Sequence, residues 1–228
     1  MAFIHNEHGQ PIGLPVDLNL PRPRPDHREL PGQYVSLSPM SADHADGFYE
    51  VFTDPAGWTY LGEETPYANL TDARTRIEHL SAGIDPLFYT LLVEGKPLGF
   101  FSLLRINPEA ASIEVGYIHF SPALQATRAA TEAHYLIMRH VFDDLGYRRF
   151  EWKCDALNAP SRKAALRLGF SYEGIFRQAL VYKGRNRDTA WYSILDHEWS
   201  AQKARFGRWL APDNFTPEGR QKTRLQEV

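Results

Sequence analysis

Three consecutive runs decide the fold: Ser112-Ile113-Glu114-Val115-Gly116-Tyr117-Ile118-His119-Phe120, a helical stretch in which Ala133, Ile137, Val141 and Leu145 recur every four residues, and Arg149-Phe150-Glu151-Trp152-Lys153-Cys154. The outer two are rich in β-branched and aromatic residues and read as strands. The spacing of four between them lays an apolar stripe along one helix face, up to Gly146, where a left-handed residue closes the helix. A strand, a crossover helix and a returning strand make a parallel pair, and the stripe needs a sheet to cover it.

Working outward, Leu87 to Val93, the turn Glu94-Gly95-Lys96-Pro97 and Leu98 to Ile106 predict an antiparallel hairpin, which Ser112 to Phe120 extends into a meander. Tyr34, Val35 and Leu37 give a short strand, Ser41 opens a helical stretch through Phe48, Val51 and Phe52, and a second helix runs from Thr71 to Ala82. Downstream, Ala159 to Leu168 is a short helix ended by Gly169. Glu173 to Tyr182 and Thr189 to Leu195 pair around Lys183-Gly184-Arg185-Asn186. The sum is an α/β (mixed α+β) architecture: a mixed, mostly antiparallel sheet of six to seven strands with one parallel pair, flanked by helices.

The chain of 228 residues divides into a proline-rich arm (1–33), one domain (34–200) and a polar tail (201–228) whose last part is expected to be loose. The arm holds Pro11, Pro15, Pro21, Pro23, Pro25 and Pro31, and suits either an extended path across a surface or a mobile leader. A net charge of −3 excludes the broad positive field that would hold nucleic acid or an anionic membrane. The single cysteine, Cys154, rules out an internal disulfide and fits a cytoplasmic setting. No stretch approaches the ~20 apolar residues of a membrane helix. Neither G-x-G-x-x-G, nor a P-loop, nor H-E-x-x-H occurs, so nucleotide and metal-hydrolase chemistries lack their motifs, and no metal is expected.

Four pieces carry the functional signal: Glu114-Val115-Gly116-Tyr117; Gln125 to Glu132 entering the long helix; Asp155-Ala156-Leu157-Asn158-Ala159-Pro160-Ser161; and Leu168-Gly169-Phe170 followed by Glu173-Gly174. In this order and spacing the chain resembles the GNAT (GCN5-related N-acetyltransferase) superfamily, particularly the branch that includes the ribosomal-protein N-terminal acetyltransferases. The resemblance spans about residues 34–200. It implies an acetyl-CoA-dependent acetyltransferase with an amine acceptor, and two parallel strands that part after a β-bulge, here near Phe120 and Cys154, to admit pantetheine.

The same resemblance implies that the pyrophosphate lies over Gln125, Ala126, Thr127, Arg128, Ala129, Ala130 and Thr131, where free N–H groups and the helix dipole favour phosphate. Arg128 and Ala130 stand where relatives carry glycines. Either the loop keeps a backbone conformation that arginine tolerates, or the phosphates sit farther out and the guanidinium supplies the lost contact. An N–H near Ile118, His119 or Phe120 would meet the developing oxyanion, and Asn158 and Ser161 would lie beside the pantetheine and sulfur. Both residues also suit a helix cap. Many relatives use a tyrosine four residues before the Gly-Phe pair as acid. Here Ala165 occupies that place, so the Ser161 hydroxyl, or a water it holds, becomes the candidate.

A protonated amine needs a base before it can attack a thioester, and Glu114 is the candidate, directly or through water. On a regular strand Glu114, Gly116 and Ile118 share one face and Val115, Tyr117 and His119 the other, so Glu114 and His119 act together only if a bulge intervenes. His119 otherwise reads as a packed or exposed strand histidine, and Cys154 as a buried structural thiol. The acceptor, a protein N-terminus or a small-molecule amine, would be chosen by the early loop 54–69. A non-catalytic acyl-CoA-binding module on the same fold is the alternative, and the arm or the last hairpin suggests a possible homodimer.

Overall fold

The computed structural model describes residues 3–62 and 64–228; Met1, Ala2 and Glu63, which belong to the arm and to the early loop, lie outside the described residues. The strands are β1 (Phe3–His5), β2 (Pro11–Gly13), β3 (Leu30–Pro31), β4 (Ser36–Pro39), β5 (Leu87–Val93), β6 (Lys96–Asn107), β7 (Ser112–Phe120), β8 (Arg149–Asp155), β9 (Ser171–Tyr182) and β10 (Arg185–Leu195). The helices are α1 (Ala45–Val51), α2 (Leu70–Ser81), α3 (Arg128–Arg139), α4 (Ala159–Leu168) and α5 (Asp196–Leu210). β1 and β2 form a small exposed hairpin. The rest make one sheet in the order β3-β4-β5-β6-β7-β8-β10-β9, antiparallel throughout except between β7 and β8. The eighth strand, beyond the six to seven expected, is the two-residue β3 at the end of the arm.

Each face of the sheet has its own core. Phe101, Val115 and Phe150 pack under α3 and α5 with Ile137 and Phe206, while Phe48, Phe52, Trp58 and Ile77 from the α1–α2 side pack on Phe88 and Phe100. The apolar stripe of α3 continues through a π-turn at His140–Asp144 and stops at Gly146, whose φ is +66°. Gly169 closes α4 at φ +98°, a left-handed conformation that requires glycine.

The arm is docked from Arg22 onward. The Arg22 amide donates to the Pro108 carbonyl, Pro25 is buried, and Arg28 meets Asp144 at 2.6 Å. Beyond it, the amides of Gln33, Tyr34 and Val35 all donate to the buried Glu132 carboxylate on α3, tying the entry to β4 against the helix. At the other end the expected boundary at residue 200 falls inside α5. The tail is not loose: Leu225 is 0% exposed, and Asn214 braces the return by donating to the Trp209 carbonyl and accepting from the Thr223 amide.

Two predictions follow from this packing. Leu225→Ala should cost about 2–5 kcal/mol, because a fully enclosed leucine leaves a cavity; urea unfolding reads it, and a loss under about 0.5 kcal/mol would show a tail that does not support the core. Burial, with the Arg167 charge, holds His134 down at about 3 from an ordinary 6.5. Below the ordinary value the unfolded chain takes up a proton that the folded chain refuses, so stability falls as pH drops through that window. His134→Phe should therefore flatten the decline by about 1.4 kcal/mol per pH unit between about pH 6 and 4, and an unchanged slope would count against it.

Candidate active site

β7 and β8 pair in register over Ser112↔Arg149, Ile113↔Phe150, Glu114↔Glu151 and Val115↔Trp152, and no farther, although β7 runs to Phe120 and β8 to Asp155. The strands thus part after Val115 and Trp152, earlier than the expected Phe120 and Cys154. The cause lies on the other edge of β7. Phe100 faces His119 and Ser102 faces Gly116, so Tyr117 and Ile118 together stand opposite Phe101 alone, and Tyr117 takes a left-handed φ of +51°. A bulge of this kind sharpens the local twist and turns the strand away from its neighbour. It also leaves the cleft-side backbone of Gly116 to Phe120 free to pair with an incoming chain.

The bulge changes which side chains share a face. Phe100, Ser102 and Leu104 alternate along β6, and their partners are His119, Gly116 and Glu114. Glu114 and His119 therefore lie on the same face, contrary to regular alternation and as the bulge alternative requires. His119 is 5% exposed, stacked on Phe52 with centroids 3.8 Å apart and edge-on to Trp58 at 4.5 Å. Burial holds it down at about 3, so it is a neutral imidazole near pH 7, and its Nδ1 has no hydrogen-bond partner among the described residues.

Glu114 is 3% exposed and its Oε2 meets Arg105 Nη1 at 2.7 Å and Lys153 Nζ at 2.8 Å. Lys153 also reaches Glu151 at 2.7 Å, and Glu151 reaches Arg149 at 2.6 Å. These alternating charges run across β6, β7 and β8 on one face and fix the carboxylate rigidly. Its Oε1 lies over Gly116, where a Cβ would stand 3.4 Å away. The missing side chain leaves that oxygen open toward the parting strands.

At the tip of α3, Thr127 caps the helix by accepting from the Ala130 amide at 3.1 Å, and Gln125 Nε2 donates to the Phe120 carbonyl at 2.8 Å. The amides of Ala126, Arg128 and Ala129 have no protein acceptor among the described residues. Ala126, not Arg128, takes the left-handed conformation, at φ +59°. Arg128 itself keeps an ordinary helical backbone that arginine tolerates. Its guanidinium lies over Phe215 at 3.4 Å and Tyr34 at 4.4 Å, which draws it to the C-terminal segment and away from the amide tip.

Asn158 caps α4 by accepting from the Ser161 amide at 3.1 Å, as the local reading allowed. The Ser161 hydroxyl accepts from Trp152 Nε1 at 3.0 Å, which leaves its own proton to donate. Trp152 is a residue that sequence reasoning missed, though its place one residue before Cys154's neighbour Lys153 put it at the last paired position. Burial pushes the Cys154 thiol up, only partly offset by a hydrogen bond with Ser161, in keeping with an inert structural thiol.

Further residues escaped the motif search. Alongside α4, an open cavity of about 430 Å³ is lined by Ala159, Arg162, Lys163, Leu166, Arg167 and Gln226, a positive patch walled by the C-terminal segment. On the Glu114 face, Asp155 accepts from Tyr182 Oη and from the Leu157 amide, both at 2.8 Å. The tip of the β9–β10 hairpin clasps the early loop, Lys183 donating to the Trp58 carbonyl and Arg185 to that of Thr59.

The model of the acetyltransferase (GNAT) domain family matches residues 35–171. A solved structure of a GCN5-related N-acetyltransferase from Brucella melitensis is 45% identical, covers 91% of this chain and 96% of its own, and superimposes with a TM-score of 0.88. The uncharacterized N-acetyltransferase p20 of Bacillus licheniformis is 26% identical over 73% of this chain and 95% of its own length. The ribosomal-protein-serine acetyltransferase of Escherichia coli (strain K12) is 29% identical over 48% of this chain and 62% of its own length. GNAT acetyltransferases use acetyl-CoA, and the parted strands and the unpaired amides at the tip of α3 fit that molecule. The chain belongs to the GNAT acetyltransferase family.

Proposed function

We propose that this chain acetylates a primary amine, on a protein N-terminus or a small molecule, by direct attack of the amine on the acetyl-CoA thioester. The observation that carries the reading is the parting of β7 and β8 after Val115 and Trp152, with unpaired α3 amides on one side and the Ser161 hydroxyl on the other. The amides of Ala126, Arg128 and Ala129 offer donors for a pyrophosphate, and Arg162, Lys163 and Arg167 supply positive charge for the nucleotide end. The free backbone of Ile118 to Phe120 would hold pantetheine and donate to the carbonyl oxygen as it gains charge.

The amine nitrogen forms its bond to the carbonyl carbon as the carbon–sulfur bond breaks. The departing sulfur takes a proton from the Ser161 hydroxyl as a water returns one to the serine oxygen, and the amine loses its own proton to Glu114 Oε1, directly or through water, from which it passes to solvent. Trp152 orients Ser161 for this by occupying a lone pair of its oxygen. The Arg105 and Lys153 pairs on Oε2 keep Glu114 aimed. His119 enters through its backbone, its ring being part of the aromatic packing around Phe52 and Trp58.

Acetyl-CoA at a saturating dose should raise the melting temperature, and no rise would remove the reading. Ser161→Ala should lower kcat on the order of 10²-fold with the acetyl-CoA Kd unchanged, measured by thiol release and calorimetry; full activity would take Ser161 out of the mechanism.

A further inference from the structure

The face of the sheet that carries Glu114 is covered by α1 and α2 only over β5 and β6. Over β8 and β10 it is floored by side chains alone. Along β10, Arg187, Thr189 and Trp191 stand at alternate positions, and Thr189 and Trp191 pair with Asp155 and Lys153 of β8, so all share that face. Arg187 Nε, Thr189 Oγ1 and Trp191 Nε1 are each buried and without a hydrogen-bond partner among the described residues. Three groups able to donate, in one row and lacking acceptors, are costly to leave so.

Their neighbours do not satisfy them. Lys153 and Arg105 are already matched by Glu114 and Glu151, and both oxygens of Asp155 already accept hydrogen bonds. Arg187 has no carboxylate within ion-pair distance among the described residues; its only ring contact is with Tyr182, 5.8 Å from the centroid. The local excess of donors stands out in a chain whose net charge is −3.

We propose that the acceptor amine carries an oxyanion group, a carboxylate or a phosphate, which Arg187, Thr189 and Trp191 bind while the amine faces Glu114. This rests on the acetyl-transfer reading and names the substrate class of the same site. The fork of an arginine matches two oxygens of one such group, and a threonine hydroxyl and an indole N–H add single donors beside it. A neutral amine would leave the row unanswered, and discrimination arises because buried donors without acceptors penalise the wrong ligand.

The test is thiol release from acetyl-CoA by the full-length protein with matched amines: L-amino acids against their amides, and phosphoethanolamine against ethanolamine. At least one oxyanion-bearing member should exceed its neutral partner tenfold or more in kcat/KM, and the responding pair separates carboxylate from phosphate. Arg187→Gln should abolish that preference through KM, with the acetyl-CoA Kd and melting temperature retained, and Arg187→Lys should restore part of it. Release with neutral amines only, or a preference that survives Arg187→Gln, overturns the proposal. No release with any amine overturns the acetyl-transfer reading together with it.

Discussion

The bulge at Tyr117 is the constraint from which the rest of the site descends. Backbone N–H and carbonyl groups of a central strand must be paired, and β7 meets that demand on its β6 edge along most of its length while abandoning it toward β8 after Val115. One inserted residue does three things at once. It bends β7 away from β8, frees the edge from Gly116 to Phe120, and moves His119 to the face of Glu114. A left-handed tyrosine is an uncommon conformation, and it persists because the flanking pairs Ser102↔Gly116 and Phe100↔His119 overdetermine it.

Charge is arranged around that opening in two different ways. On the paired side, Arg105, Glu114, Lys153, Glu151 and Arg149 alternate in sign, so each carboxylate is fixed by cations and the group as a whole presents little net field. On the parted side the amides at the α3 tip and the donors of β10 lack acceptors, and the cations along α4 have no carboxylate partner among the described residues, although Arg162 and Arg167 donate to neutral oxygens. Matched charge positions side chains, whereas unmatched donors define where something acidic belongs. Near the α3 tip, Arg128 is drawn to Tyr34 and Phe215, while Arg167 reaches the first turn of α3 by donating to Thr131 Oγ1 at 3.1 Å.

The strands and helices were legible wherever side-chain period and turn chemistry agreed. β5 and β7 match their expected bounds, as does α4 with its closing Gly169. The parallel pair followed from the crossover alone. The position of its parting was not legible, because Tyr117 gives no local sign of a positive φ and the bulge exists only in the register against β6. Nor was the tail, whose polar composition hides the buried Phe215 and Leu225 among charged neighbours. Of the candidate site, motif order singled out the α3 tip, Asn158 and Ser161. Trp152, Arg187, Thr189 and Trp191 were not, since nothing within their own segments distinguishes a strand residue that packs from one that faces a cleft.

The β9–β10 hairpin links the two halves of the acceptor side. Its tip holds the early loop through backbone carbonyls of Trp58 and Thr59, and its β10 strand carries the donor row. Trp58 in turn packs against His119, which sits at the end of the bulged strand. A movement of the hairpin therefore acts on the aromatic wall and the donor row together, and it reaches Glu114 as well, because Lys153, which pairs with that carboxylate, lies over the Trp191 ring at 3.8 Å. On the proposed reading, selection of the acceptor and activation of its amine are thus coupled through the contact of Lys153 with Trp191.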